Sequence, residues 1–304
     1  MVYIVLVYTE KKKGIYMFQE TTSLKLKKDK NIIDSNFKIK LRDISRKFIL
    51  LLAKTNIKYK IVKKNNIQKK EGYSTIYVVN HYSAQDTPIA CNLTPDRAYI
   101  LAGKQNLGFF DNLFFELYGS IFIDRKDKND MAISKQAMEA YLKKGKSILM
   151  FPEGTWNLSD NLLILNIKWG VIDIARNTNS QIIPIDLDYN RENHICNVRY
   201  GKPIFIEKNS NNIDEIRKLR DNMATLRWES LASKKIYKRS DLNIDKEKIL
   251  NKYSIEEFPK IEIEYEESII YNPYDSREKV FKPVKSLKLS KKNAFLFYKN
   301  NKGM

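Results

Sequence analysis

TIYVVNHYSAQD, residues 75–86, decides how the rest of the chain is read. Its first six residues form a short β-branched run behind the polar break KKNNIQKKEG at 63–72, which predicts a buried strand ending at His81. His81 is one of only two histidines in 304 residues. Asp86 follows five positions later, so a candidate base and a candidate carboxylate partner flank the exit of one strand. The bland alternative gives Asp86 a structural task, capping a helix ahead of Thr87 and Pro88.

Downstream, strands and helices alternate. RAYILAG (97–103), SIFID (120–124), SILMF (147–151) and QIIPIDLDY (181–189) predict strands, and 108–119, 130–146 and 167–179 predict the helices between them. Such alternation implies an α/β fold with a mainly parallel central sheet flanked by helices. Ligands in such sheets sit beyond the carboxyl ends of the strands, and His81 lies at one such end. Residues 213–232 predict a further helix closing the sheet, and 253–271 alternate in places like an exposed strand.

Upstream, a polar preface (1–36) precedes helical periodicity over 37–58. On a helical wheel Phe37, Leu41, Ile44, Phe48, Leu51 and Leu52 fall within an arc of about 100°, with Lys40, Arg42, Arg46, Lys47 and Lys54 outside it. This predicts an amphipathic membrane-associating helix. The alternative is a helix that packs its apolar stripe on the domain's own core and leaves a basic back in water. The segmentation is therefore preface 1–36, amphipathic helix 37–58, a catalytic domain 59–235 and a basic C-terminal extension 236–304.

Charge narrows the partners. The net charge is +19, and residues 1–72 hold 19 Lys and Arg against 6 Asp and Glu. From Lys279 onward all eight charged residues are lysines. Part of this excess reflects a Lys-, Asn- and Ile-rich composition, but its clustering favours an anionic membrane surface. Nucleic acid is not expected, because no RNP signature, Cys/His finger or basic zipper accompanies the charge. No apolar run is long enough to span a bilayer, and MVYIVLVY lacks the flanks of a secretory signal. The expected location is cytoplasmic, peripheral on the cytoplasmic face of the membrane. Cys91 and Cys196 have no metal-ligand spacing, so no metal is expected.

PEGT (152–155) places a glutamate at another strand exit. The order NHxxxxD, GSIFIDR, FPEGT, IIPI across 80–186 resembles the glycerolipid acyltransferase family, over roughly residues 59–235. The resemblance implies transfer of a fatty acyl group from acyl-CoA or acyl-carrier protein to a glycerol-phosphate-type acceptor, lysophosphatidate first among them, with no cofactor beyond that co-substrate. It makes His81 and Asp86 the catalytic pair: a hydroxyl attacks a thioester faster when a base takes its proton, and a carboxylate fixes the imidazole tautomer. It assigns Lys104, Arg125, Glu153, Gly154, Thr155 and Lys168 to substrate binding.

Rival chemistries lack their markers. There is no GxSxG, and Gly145-Lys146-Ser147 is no phosphate loop, because Ala140 stands where the first glycine is needed. One departure is visible: the family usually has Arg after PEGT, and here residue 156 is Trp. That leaves open a glycan or other lysolipid acceptor, or an acyltransferase-like membrane-binding protein without activity. A packing role for the indole in the acyl channel is equally open.

Overall fold

The computed structural model describes residues 4–9, 12–17, 21–29, 31–55, 57–83, 85–104, 109–157 and 162–234. The C-terminal extension, with its expected strand at 253–271, lies outside them. The chain opens with a hairpin, β1 (Ile4–Thr9) and β2 (Lys12–Met17), followed by α1 (Thr22–Asp29) and α2 (Asn36–Thr55). The alternating part runs β3 (Lys60–Lys63), β4 (Thr75–Val79), α3 (Asp86–Leu93), β5 (Tyr99–Gly103), α4 (Phe109–Tyr118), β6 (Ser120–Ile123), α5 (Lys128–Lys143) and β7 (Ile148–Met150). It closes with α6 (Gly170–Thr178), β8 (Gln181–Asn190), β9 (Ile195–Tyr200) and α7 (Asn212–Ala232).

Among the described residues the larger sheet has the order β3-β9-β8-β4-β7-β5-β6. The five strands from β8 to β6 run parallel, which matches the α/β expectation. β9 joins β8 antiparallel, and β3 runs parallel to β9. Neither β3 nor β9 was expected, because IVK and ICNVRY are too short and too polar to stand out from loop. In β4 all five side chains are buried, because a central parallel strand is covered on both faces.

The crossover from β4 to β5 passes over the place that β7 fills, whereas the crossover from β7 to β8 returns over β4. The direction of the crossovers thus reverses between β4 and β7, and the crevice outside such a switch point is where sheets of this kind hold ligands. His81 follows β4, and Glu153 follows β7.

The preface contributes structure of its own. The Ser23 amide donates to Asp130 Oδ1 at 2.8 Å, and Thr22 Oγ1 donates to the Phe122 carbonyl at 3.0 Å, tying α1 to α5 and β6. The next helix ends at Thr55, three residues short of the expected boundary, and it packs the opposite way from the alternative raised above. Arg42 and Arg46, expected on the solvated basic face, turn inward. Arg46 is 1% exposed, lies 4.0 Å over the Tyr99 ring and donates to the carbonyls of Tyr118 and Arg97. Arg42 donates to the Glu116 carbonyl and to Asp34 at 2.7 Å. Glu116 and Tyr118 end α4, where carbonyls have no intrahelical partner and the helix dipole is negative. Two guanidinium groups satisfy that helix end, so the arginine side of α2 faces the domain. The apolar stripe is left outside: Phe37 is 76% exposed, Ile44 69%, Phe48 64% and Leu51 62%.

Candidate active site

Three strand exits build the site. After β4 the chain turns through Asn80–Ser83 into α3, and the turn is held by the Asp86 carboxylate. Asp86 Oδ2 lies 2.8 Å from His81 Nδ1 and accepts from the backbone amides of Tyr82 at 2.5 Å and Ser83 at 2.8 Å. Asp86 Oδ1 accepts from the Tyr189 hydroxyl of β8. The capping alternative fails on geometry. Gln85 occupies the N-cap position, Asp86 is the first residue of α3, and the amides it binds precede the helix. Asp86 is fully buried, and these donors satisfy both of its oxygens.

With Nδ1 on Asp86, Nε2 is the ring nitrogen left to meet a substrate proton. The imidazole is stacked on Phe151, with ring centroids 4.1 Å apart, and Trp156 tilts against it at 5.4 Å. The Trp that departs from the family pattern therefore lies beside the candidate base, at the wall of the site.

The loop after β7 grips the His81 backbone from both sides. Glu153 Oε1 accepts from the His81 amide at 3.1 Å, and the Asn157 amide donates to the His81 carbonyl at 2.6 Å. Glu153 Oε2 accepts from the Leu165 amide at 2.7 Å. Both oxygens of Glu153 are thus engaged by backbone, and the residue is buried, so here it holds the loop, which differs from the substrate-binding role implied by the resemblance. Burial pushes its carboxyl up to about 8. Because that lies above the ordinary Glu value, folding takes up a proton: the stabilisation is complete below about pH 4.5 and is lost as the pH rises through 8. Thermal melts should accordingly show wild type losing ground to Glu153→Gln, which cannot ionise, between pH 5 and 9. A difference independent of pH would mean that Glu153 does not titrate in this window.

The remaining sequence-predicted residues form a cationic rim. Arg125, after β6, is exposed and donates to the Gly154 carbonyl. Its guanidinium passes over Gly103 at the end of β5, where an added Cβ would lie 3.3 Å from Nη2. Among the described residues Arg125 makes no ion pair with its neighbours Asp124 and Asp127. Asp124 pairs with Lys104 at 3.2 Å, and Asp127 caps α5. The backbone amide of Lys126, then Lys104, holds the Asp124 carboxyl below its ordinary value. Gly154 has φ +77°, a left-handed conformation that favours glycine, and a Cβ there would lie 3.5 Å from the Lys168 side chain. Lys168 donates its amide to the Pro152 carbonyl at 2.9 Å and is exposed. Thr155 is half-buried in the same turn. Lys104 and Arg125 thus follow the exits of β5 and β6, and Arg125 meets Lys168 at Gly154 in the loop that also holds the His81 backbone, an arrangement suited to an anionic group.

Sequence reasoning missed Asn80, Phe151, Asn157, Asp186 and Tyr189 as parts of this site. Asn80 adjoins His81 in the motif, and Asp186 directly follows IIPI, but nothing in either position announces its partner.

Residues 58–188 match the family model described as Acyltransferase. A Mycoplasma pneumoniae protein named as a probable 1-acyl-sn-glycerol-3-phosphate acyltransferase is 27% identical over 182 residues, 57% of this chain and 66% of its own length. The 1-acyl-sn-glycerol-3-phosphate acyltransferase of Borreliella burgdorferi is 30% identical over 139 residues, 45% of this chain and 53% of its own. The matches therefore span between about half and two thirds of these relatives. The crystal structure of the 1-acyl-sn-glycerophosphate (LPA) acyltransferase PlsC from Thermotoga maritima shares the fold, with a TM-score of 0.51 at 19% identity over 67% of this chain and 86% of that one.

Proposed function

We propose that this chain, whose residues 58–188 match the Acyltransferase family model, transfers a fatty acyl group from a thioester to the free hydroxyl of lysophosphatidate. The observation that carries this reading is the His81–Asp86 pair, 2.8 Å apart at the switch point of the sheet. In the reaction Nε2 takes the proton of the acceptor hydroxyl as its oxygen bonds to the thioester carbonyl carbon. The C–S bond breaks, and the sulfur leaves as thiolate to receive the proton from the imidazolium. Asp86 holds the ring and stabilises the imidazolium while it lasts.

The acceptor phosphate is read as lying on the rim of Lys104, Arg125 and Lys168. Arg125→Ala should raise the KM for the acceptor by about tenfold, the worth of a charge-assisted hydrogen bond, and leave the donor's KM nearly unchanged. Equal effects on the two would remove Arg125 from that role. The donor is acyl-CoA or acyl-carrier protein. Incubating the full chain with each donor and a panel of lysolipid, glycerol-phosphate and glycan acceptors, then identifying products by mass spectrometry, tests donor and acceptor together. No acylated product with any pair would leave an inactive membrane-binding protein as the better reading.

Trp156 favours a second reading, a different acceptor, since an indole beside His81 cannot bind phosphate as an arginine would. Trp156→Arg should improve use of lysophosphatidate relative to wild type if the Trp has retuned the acceptor. Unchanged selectivity would assign the ring to packing on the imidazole.

The enzyme is further read as peripheral on the cytoplasmic face of an anionic membrane, held by α2. Among the described residues no helix is long and apolar enough to cross a membrane. What supports contact is the outward stripe of α2, six large apolar residues in water with Lys40, Lys47 and Lys54 exposed beside them. Of the five cations first assigned to that contact, three remain available, because Arg42 and Arg46 are committed to α4.

A further inference from the structure

Resting on the reading of His81 as the base, we propose that α7 positions the His81 imidazole, through Ser230 acting on Asp186 and Arg227 acting on Tyr82. The two residues flanking His81 are held by one helix that lies far away in sequence. On one side, the Asn80 carboxamide is fixed by three hydrogen bonds. Its Nδ2 donates to Asp186 Oδ1 at 2.9 Å and to the Leu187 carbonyl at 3.0 Å, and its Oδ1 accepts from the Leu187 amide at 2.7 Å. Asp186 is oriented in turn by Ser230 Oγ, which donates to its other oxygen at 2.6 Å and accepts from Arg199 Nε at 3.1 Å. Asn80, Asp186 and Ser230 are each at least 98% buried, so no water competes for these groups.

On the other side of His81, the Arg227 guanidinium lies 4.8 Å from the centroid of the Tyr82 ring. Arg227 is itself fixed by Asp188 at 2.7 Å, and the Tyr82 hydroxyl donates to the Leu163 carbonyl at 2.6 Å. The imidazole thus stands on a backbone segment whose two neighbours are both pinned from α7. If the sheet were simply covered by α7, apolar packing would suffice. Buried hydrogen bonds and a stacked guanidinium instead set direction, and a base must be placed to within a fraction of an ångström.

Lys234 provides the internal control: it also pairs with Asp188, at 2.6 Å, but it has no bond to residues 80–83 in this network. The test compares Ser230→Ala, Arg227→Ala, Arg227→Lys and Lys234→Ala in the full chain, with His81→Ala alongside. We expect Ser230→Ala and Arg227→Ala each to lower kcat by roughly 10- to 100-fold, with KM for both substrates within about twofold. Arg227→Lys, which keeps the charge on Asp188 but loses the planar stack, should fall between. Lys234→Ala should keep wild-type kcat.

With only two histidines, the imidazole NMR signals can be assigned by His194→Gln. The His81 signals should shift or broaden in Ser230→Ala and Arg227→Ala and stay in place in Lys234→Ala. Wild-type kcat and unmoved His81 signals in Ser230→Ala and Arg227→Ala would overturn the proposal. So would equal losses in Lys234→Ala and Arg227→Ala, which would make α7 a structural cover. Should His81→Ala retain full turnover, the base assignment fails by itself, and the imidazole signals still decide whether α7 holds the ring.

Discussion

Replacing His81 by Ala is expected to lower kcat by about 100- to 10,000-fold, the usual worth of a positioned general base, while circular dichroism and melting temperature change little. The side chain is partly exposed at the site and carries no core packing beyond Phe151 and Trp156. Its loss therefore removes chemistry more than stability. Among the described residues nothing else is placed to take the proton. His194 lies on the turn before β9, 6.0 Å from the Tyr59 ring, and Glu153 has both oxygens on backbone amides. Turnover near wild type in the Ala variant would end the proposed mechanism.

Asp86→Asn tests the other half of the pair. The carboxylate takes His81 Nδ1, Tyr82 N and Ser83 N on one oxygen and the Tyr189 hydroxyl on the other. An amide oxygen can replace the first set, and the Tyr189 hydroxyl can turn to accept from the new NH2. The geometry then survives, but the negative charge that stabilises an imidazolium is gone. A fall in kcat of about 100-fold or more follows, with a bound acceptor affinity close to wild type. A harmless substitution would reduce Asp86 to a strut for the turn.

The fold was legible wherever hydrophobic period and strand exits coincide. β4, β5, β6, β7 and β8 each read as a β-branched or aromatic run, and their helices carried apolar residues at helical spacing, so the parallel sheet followed from pattern alone. β3 and β9 did not, because an edge pair half in water has no distinctive composition. The His81–Asp86 contact was legible because a strand exit, a rare His and an Asp at turn spacing fall in twelve residues. Its supports were not. Asp186 and Ser230 are 44 residues apart and meet only because α7 returns onto β8, and an isolated Asp or Ser carries no mark of such a partner. In α2 only the arginines were misplaced, for a related reason: the apolar stripe faces outward as the membrane reading requires, but Arg42 and Arg46 turn inward to the carbonyls at the end of α4. Those carbonyls are backbone, present in every helix and invisible to residue type.

The outward stripe makes α2 the source of the second large effect. Phe48→Glu with Leu51→Glu is expected to abolish sedimentation with anionic liposomes while the sheet domain keeps its melting transition. Both side chains are more than 60% exposed, so the substitutions cost the fold little. The same pair inserted at a headgroup boundary would each contribute apolar transfer energy of about 1.5–3 kcal/mol, and two carboxylates there would be repelled by the leaflet. The cationic contribution is smaller than the sequence implied. Lys40, Lys47 and Lys54 remain on the outer side at roughly 1 kcal/mol each near an anionic surface. Binding should therefore weaken with salt but survive in part, whereas a purely electrostatic contact would vanish. The C-terminal end of α2 is also the end near the site: the Lys58 amide, three residues past the helix, donates to Gln85 Oε1 at 3.0 Å, next to Asp86. Seating Phe48 and Leu51 in the bilayer would bring the catalytic turn toward the leaflet that holds the acceptor. The double variant should then lose turnover on lysophosphatidate in vesicles yet retain it on a water-soluble short-chain acceptor. Unchanged sedimentation would assign the exposed stripe to another partner, and equal loss on both acceptors would mean that α2 supports the site itself.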